Sequence, residues 1–152
     1  MFSDKCIIKY DPTSVKGNPD SMFKPWWLIG FTQKENELQE YYAAIIYKRT
    51  GIKLIKPAWG PHISIIRGEE PLNKELWKKY DGEEIEFIYD HYIKTNGGHW
   101  WLKVTCDKLL DIREELGLPR KHFVGLHFTI GTPKKTQKEE SEYYARFLQK
   151  EN

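Results

Sequence analysis

The sequence predicts a single α+β domain over residues 1–152, with a central, largely antiparallel sheet and flanking helices arranged as two pseudo-symmetric lobes. Three observations lead there. Short β-rich segments and helix-periodic segments alternate with no linker or low-complexity stretch between them. Asn96-Gly97-Gly98 lies between two β-rich runs, the strongest short-range hairpin signal in the chain. One phrase is also written twice: GPHISIIRG at 60–68 and VGLHFTIGTP at 124–133 each carry a Gly, then His, any residue, a hydroxyl residue and Ile. Each half of the chain sets a long helix near a strand bearing that phrase, which is the basis for two lobes.

The elements follow in order. CIIKY (6–10) is a strand, and the Pro- and Gly-containing DPTSVKGNPDS after it is a long loop. PWWLIGF (25–31) is a buried strand. Thr32 and Glu35 then form a capping-box pattern opening a helix in which Leu38, Tyr41, Tyr42, Ile45 and Ile46 recur at helical spacing until Gly51. Residues 52–68 supply apolar strands broken at Pro57 and Gly60, and PLNKELWKKYDG (71–82) reads as a short amphipathic helix. EEIEFIYDHYIKT and HWWLKVTC flank the hairpin turn. DKLLDIREELGLP (107–119) is a helix with Asp107 as cap, Gly117 as stop and Pro119 beyond. A further strand carries the second phrase, and a final helix opens on a Thr136 and Glu139 capping box.

Composition narrows the function classes. A formal net charge of +2 is too small to coat a nucleic-acid backbone, so no stable duplex partner is expected, though a small anionic ligand fits. The two cysteines, Cys6 and Cys106, have neither zinc-finger spacing nor enough company for a disulfide framework. No metal or other cofactor is expected. Without a leader pattern or an apolar run of membrane-spanning length, the protein is expected to be cytoplasmic and to have no membrane partner.

The repeated phrase carries the chemistry. Side chains at i and i+2 of a strand share a face, so His62 pairs with Ser64 and His127 with Thr129, while Ile63, Ile65, Phe128 and Ile130 face the other way. If the two strands lie side by side, two imidazoles and two hydroxyls meet in one groove. That set suits phosphodiester cleavage: one imidazole takes a proton from the attacking hydroxyl, the other gives one to the leaving oxygen, and the hydroxyls hold the phosphate oxygens. His91, His99 and His122 are followed at +2 by Ile93, Trp101 and Val124 and lack the pattern.

The double His-x-Ser/Thr on strands, 65 positions apart in a small α+β chain, resembles the 2H phosphoesterase superfamily. The resemblance implies that His62, Ser64, His127 and Thr129 are a catalytic quartet working without metal. IIKYDPTS, PWWLIGFTQ, KPAWGPHISIIRG and the acidic, aromatic helix after GLHFTIG are similar to a phage branch of that superfamily. Its members degrade the cyclic di- and trinucleotide signals of bacterial CBASS immunity. The substrates implied are therefore 3′–5′ linked cyclic di- and trinucleotides, and the location the host cytoplasm. Two alternatives stay open: an RNA-processing enzyme acting on 2′,3′-cyclic phosphates or 2′–5′ linkages, and a sponge that binds cyclic nucleotides without cleaving them.

Aromatic residues are candidates for base contact, a stack being worth about 1–3 kcal/mol per base. Trp59 stands out beside the Pro/Gly bend before His62, although core packing is the commoner fate of a Trp. Trp100 and Trp101 point to opposite faces, so at most one meets the groove. The resemblance implies a base or phosphate contact for Tyr10. In the last helix Glu142 and Tyr143 are candidates for a lid over the ligand, against the plainer alternative of a solvated acidic face. Arg67 is assigned by parity to the face opposite Ser64, near enough to the strand end for its long side chain to bend back.

Overall fold

In β1 (Phe2–Tyr10), Cys6, Ile8 and Tyr10 are buried while Lys5 and Lys9 are exposed, the period-two pattern that seats one face of a strand on a core. β1 is the first of eight strands in a computed structural model that describes residues 1–12, 25–32, 37–57, 60–122 and 124–149, and the alternation recurs at Glu84–Tyr89 and Trp100–Thr105. After β1 come β2 (Trp27–Thr32), α1 (Glu37–Thr50), β3 (Leu54–Ile55), β4 (His62–Arg67), β5 (Glu84–Tyr89) and β6 (Lys94–Thr95). Then follow β7 (Trp100–Thr105), α2 (Asp107–Glu115), β8 (His127–Pro133) and α3 (Lys138–Gln149).

The strand order is β3-β8-β4-β2-β1-β5-β7-β6, and β8 also pairs with β7. The predicted α+β class and antiparallel pairing hold, and the sheet closes into a barrel. Two of its joints are short. β4 meets β8 at the single pair Ile63 and Phe128, and β5 meets β7 at Ile88 with Thr105 and Tyr89 with Val104. Between the joints run β5-β1-β2-β4 on one side and β6-β7-β8-β3 on the other.

The core lies between the barrel wall and the helices. Ile63, Ile65, Leu102, Phe128 and Ile130 cluster with Tyr42 and Ile46 of α1, with Leu109 and Ile112 of α2, and with Leu116 just after it. Gln39 of α1 adds a hydrogen bond, its Nε2 donating to Ile130 O at 2.8 Å. Because these helices cover the outside of a closed barrel, wall residues of the opposite parity face its interior. Lys5, Lys9, Lys103, Glu84 and Glu86 have that parity and are exposed, so the interior is open to water. Each fully buried Ile or Phe contributes about 1.5–3 kcal/mol. Five of them, Ile63, Ile65 and Ile66 of β4 with Phe128 and Ile130 of β8, thus hold the repeated phrase with its imidazoles turned inward.

Local signals succeeded where the partner was close in sequence. β6 and β7 form the predicted hairpin across Asn96–Gly98, and α1 and α2 end where Gly51 and Gly117 were expected to stop them. Other elements differ. Residues 71–82 form only a 3₁₀ turn at Lys74–Leu76, because the N–H groups of Leu72 and Asn73 both donate to Leu116 O and Lys78 takes a left-handed φ of 75°. Thr32 closes β2, its hydroxyl donating to Pro61 O at 3.1 Å. Cys106, not Asp107, occupies the N-cap of α2, and Thr136 lies inside a 3₁₀ turn ahead of α3. Glu35 and most of the predicted first loop lie outside the described residues.

Candidate active site

Ile63 sits opposite Phe128 in antiparallel register. Stepping one residue each way sets His62 across from Thr129 and Ser64 across from His127. In that register all four side chains share the face opposite Ile63 and Phe128 and make, two from each strand, a square of residues on the inner wall, with His127 near enough for its charge to act on His62. All four are partly accessible. Neighbouring strands extend it into two rows. Ile7, Phe31, His62, Thr129 and Trp101 make one, and Lys9, Ile29, Ser64, His127 and Lys103 the other.

Each imidazole is anchored in the same way. Gly60 and Gly125 adopt φ of 82° and 79°, a backbone conformation costly for any residue with a Cβ. The carbonyl of each accepts a hydrogen bond from Nδ1 of the histidine two residues on, at 2.8 Å for His62 and 2.9 Å for His127. A carbonyl only accepts, so Nδ1 carries the proton and the neutral ring keeps its basic lone pair on Nε2. A tryptophan stands edge-on to each ring. The Trp27 and His62 centroids are 6.2 Å apart at 79°, those of Trp101 and His127 6.4 Å apart at 66°.

Parity alone misplaced Arg67. Trp27 pairs with Arg67 and Leu28 with Ile66, but Ile29 pairs with Ser64, so Ile65 is an extra residue forming a bulge. The bulge turns Arg67 onto the face of His62 and Ser64, with its Cζ 4.8 Å from the centre of the Trp27 ring. Trp27 in turn donates from Nε1 to Ser64 Oγ at 3.1 Å, which leaves the serine proton for another acceptor. Burial, chiefly, pushes the His62 imidazole below its ordinary range, with the Arg67 and His127 charges adding to it and the Gly60 bond opposing it.

Of the residues singled out from sequence, the quartet is brought together. Trp101 takes the groove face while Trp100 enters the core. Tyr10 is a correction: it is buried on the outer face, packs edge-on to Trp77, and its hydroxyl accepts from Tyr80 N–H at 3.2 Å. Its alternation with Lys9 puts it behind the wall. Glu142 and Tyr143 lie on α3 at the barrel rim. Ser141 pins that helix by donating to Gly97 O at 2.7 Å and accepting from Trp100 Nε1 at 2.9 Å. The Glu142 stem lies close over Gly97, and Tyr143 is exposed, edge-on to Tyr144. Trp59 lies outside the described residues. Sequence reasoning missed Phe31, Lys9 and Lys103, which only the strand register brings beside the quartet.

A cavity of about 1070 Å³ opens elsewhere, between α1 and α3, lined mainly by apolar and aromatic side chains such as Tyr42, Ile45, Trp100 and Phe147. The inner-wall square, not this cavity, combines paired imidazoles with hydroxyls. Among the described residues no three His, Cys, Asp or Glu side chains group to hold a metal ion, and no helix is long and apolar enough to cross a membrane. The chain matches no protein-family model, no curated protein and no solved structure.

Proposed function

We propose that this chain is a phosphodiesterase of the 2H type that opens 3′–5′ linkages of cyclic di- and trinucleotides without a metal. One observation carries the reading: two imidazoles, each held through Nδ1 by a glycine carbonyl, stand on adjacent strands with a hydroxyl across from each. The two four-strand runs, joined by short seams and each bearing one phrase, support a two-lobed, pseudo-symmetric arrangement. Cleaving immune signals of this class would let a phage evade host CBASS defence from within the host cytoplasm.

The different surroundings of the two histidines support a division of labour. His62, kept neutral by burial and by Arg67, takes the proton of the attacking ribose 2′-hydroxyl or water on Nε2. The oxygen bonds to phosphorus as the bond to the 5′-oxygen breaks, and His127, as the acid of the pair, passes a proton from Nε2 to that leaving oxygen. Ser64 and Thr129 donate to the non-bridging oxygens, where charge builds up, and Arg67 and Lys103 supply positive potential. Phe31 and Trp101, at either side of the His62 row, offer faces for bases, and Glu142 at the rim offers an acceptor for a base edge.

The test is a panel of cyclic di- and trinucleotides plus an RNA ending in a 2′,3′-cyclic phosphate, each incubated with the protein in EDTA and resolved by chromatography. Opened cyclic nucleotides are expected, at rates EDTA leaves unchanged. Turnover of the RNA end alone would move the substrate class, and cyclic nucleotides recovered intact after heat denaturation would establish a sponge.

A further inference from the structure

Arg113 of α2 is 1% exposed, yet it brings a full charge into the layer behind β4. Nη1 and Nη2 donate to the two carboxylate oxygens of Glu69 at 2.8 and 2.9 Å. Nη1 also donates to Ile65 O at 2.9 Å, and Nε to Pro119 O at 3.0 Å. Such a pair is weak support for stability, since desolvation offsets most of the attraction and an apolar replacement often holds a core as well. What the planar fork does supply is direction. Ile65 is the bulge residue that brings Arg67 to the quartet, and Pro119 begins the segment leading to His127.

His122 is buried in the same layer, within reach of the Arg113 and Glu69 charges, and it closes the link. On one side it lies near enough to the Ser64 backbone to be influenced by it. On the other, its Nδ1 accepts from Val124 N–H at 3.3 Å and its carbonyl from Gly125 N–H at 3.1 Å. Gly125 is the residue whose carbonyl holds His127. A chain of contacts therefore runs from Ser64 and Ile65 to the anchor of the second imidazole. The seam itself joins β4 to β8 at one pair, too little to fix the register of two side-chain sets.

We propose that Arg113, Glu69 and His122 form a positioning network that sets the two half-sites against each other. It deepens the acid–base reading of the quartet and rests on it; none of the three residues touches substrate. Loosening the network releases the Gly125 carbonyl from His127 and the bulge from Arg67.

The test compares wild type with R113M, R113K and E69Q, using ¹⁵N NMR of the imidazoles and steady-state kinetics on whichever panel nucleotide wild type opens. Wild-type His127 is expected as the Nδ1–H tautomer. Folded R113M should show mixed tautomers, with kcat lowered about 10–100-fold and KM nearly unchanged, as expected for misplaced groups. R113K keeps the charge without the fork and should restore little; E69Q should fall between. A wild-type His127 tautomer in folded R113M overturns the network, and if R113M does not fold, the same signal in E69Q decides. The tautomer is read without substrate, so an inactive wild type defeats the phosphodiesterase reading while this result still stands.

Discussion

His62 and His127 make the same bond to a glycine carbonyl two residues back, and each has a tryptophan edge-on, but their surroundings diverge. Beside His62 a bulge has added Arg67, stacked on the buried Trp27 that also holds Ser64. Beside His127 the neighbouring strand contributes the exposed Lys103. The same local anchor thus need not mean equality in charge. Under the proposed mechanism, two copies of one phrase become an acid and a base through what each neighbouring strand brings.

The largest effect expected breaks the comparison outright. H62A and H127A should each lower kcat by about 10²–10⁴-fold, the usual worth of a positioned acid or base, and the double variant should lose little more. Single-turnover rates on a cyclic dinucleotide measure this, and an active single variant would end the two-imidazole mechanism.

A smaller effect sharpens it. R67A should cost about 10²-fold in kcat/KM, as the loss of one preorganised charge-stabilising group does, and K103A about tenfold or less. The pH profile adds a sign. Arg67 and burial both disfavour the imidazolium of His62, so its limb should lie below 6.5, the ordinary value, and R67Q should raise it. Equal losses at Arg67 and Lys103, with no shift of that limb, would make the half-sites equivalent.

The smallest effect is on stability. Burial pushes both His62 and His122 below 6.5, with the Arg113 charge adding at His122. Below that pH the unfolded chain takes up protons that the folded chain still refuses. The contribution is therefore complete above 6.5 and declines as pH falls through the two folded values. Urea midpoints at pH 7.5 and 5.5 measure it, and H122Q should flatten the difference.

How much was readable depended on sequence distance. The β6–β7 hairpin was visible because Asn96 and Gly97 set its turn chemistry locally. The fate of residues 71–82 was not, because it hinges on Leu116, far along the chain, accepting from Leu72 and Asn73. Among site residues, the quartet followed from period-two parity. Arg67 escaped that rule through a bulge, and Tyr10 was put in the groove by analogy although its parity with Cys6 and Ile8 pointed to the core.

By itself the sequence determined that each histidine shares a strand face with a hydroxyl, that apolar residues turn the opposite face to a core, and that a glycine lies two residues before each imidazole. These are local consequences of strand periodicity and backbone sterics. Only the tertiary structure decided that β4 and β8 are neighbours, that Arg67 joins them, and that Arg113 and His122 stand behind both. Those outcomes depend on register and on contacts across many residues of chain, whose energies no local pattern contains.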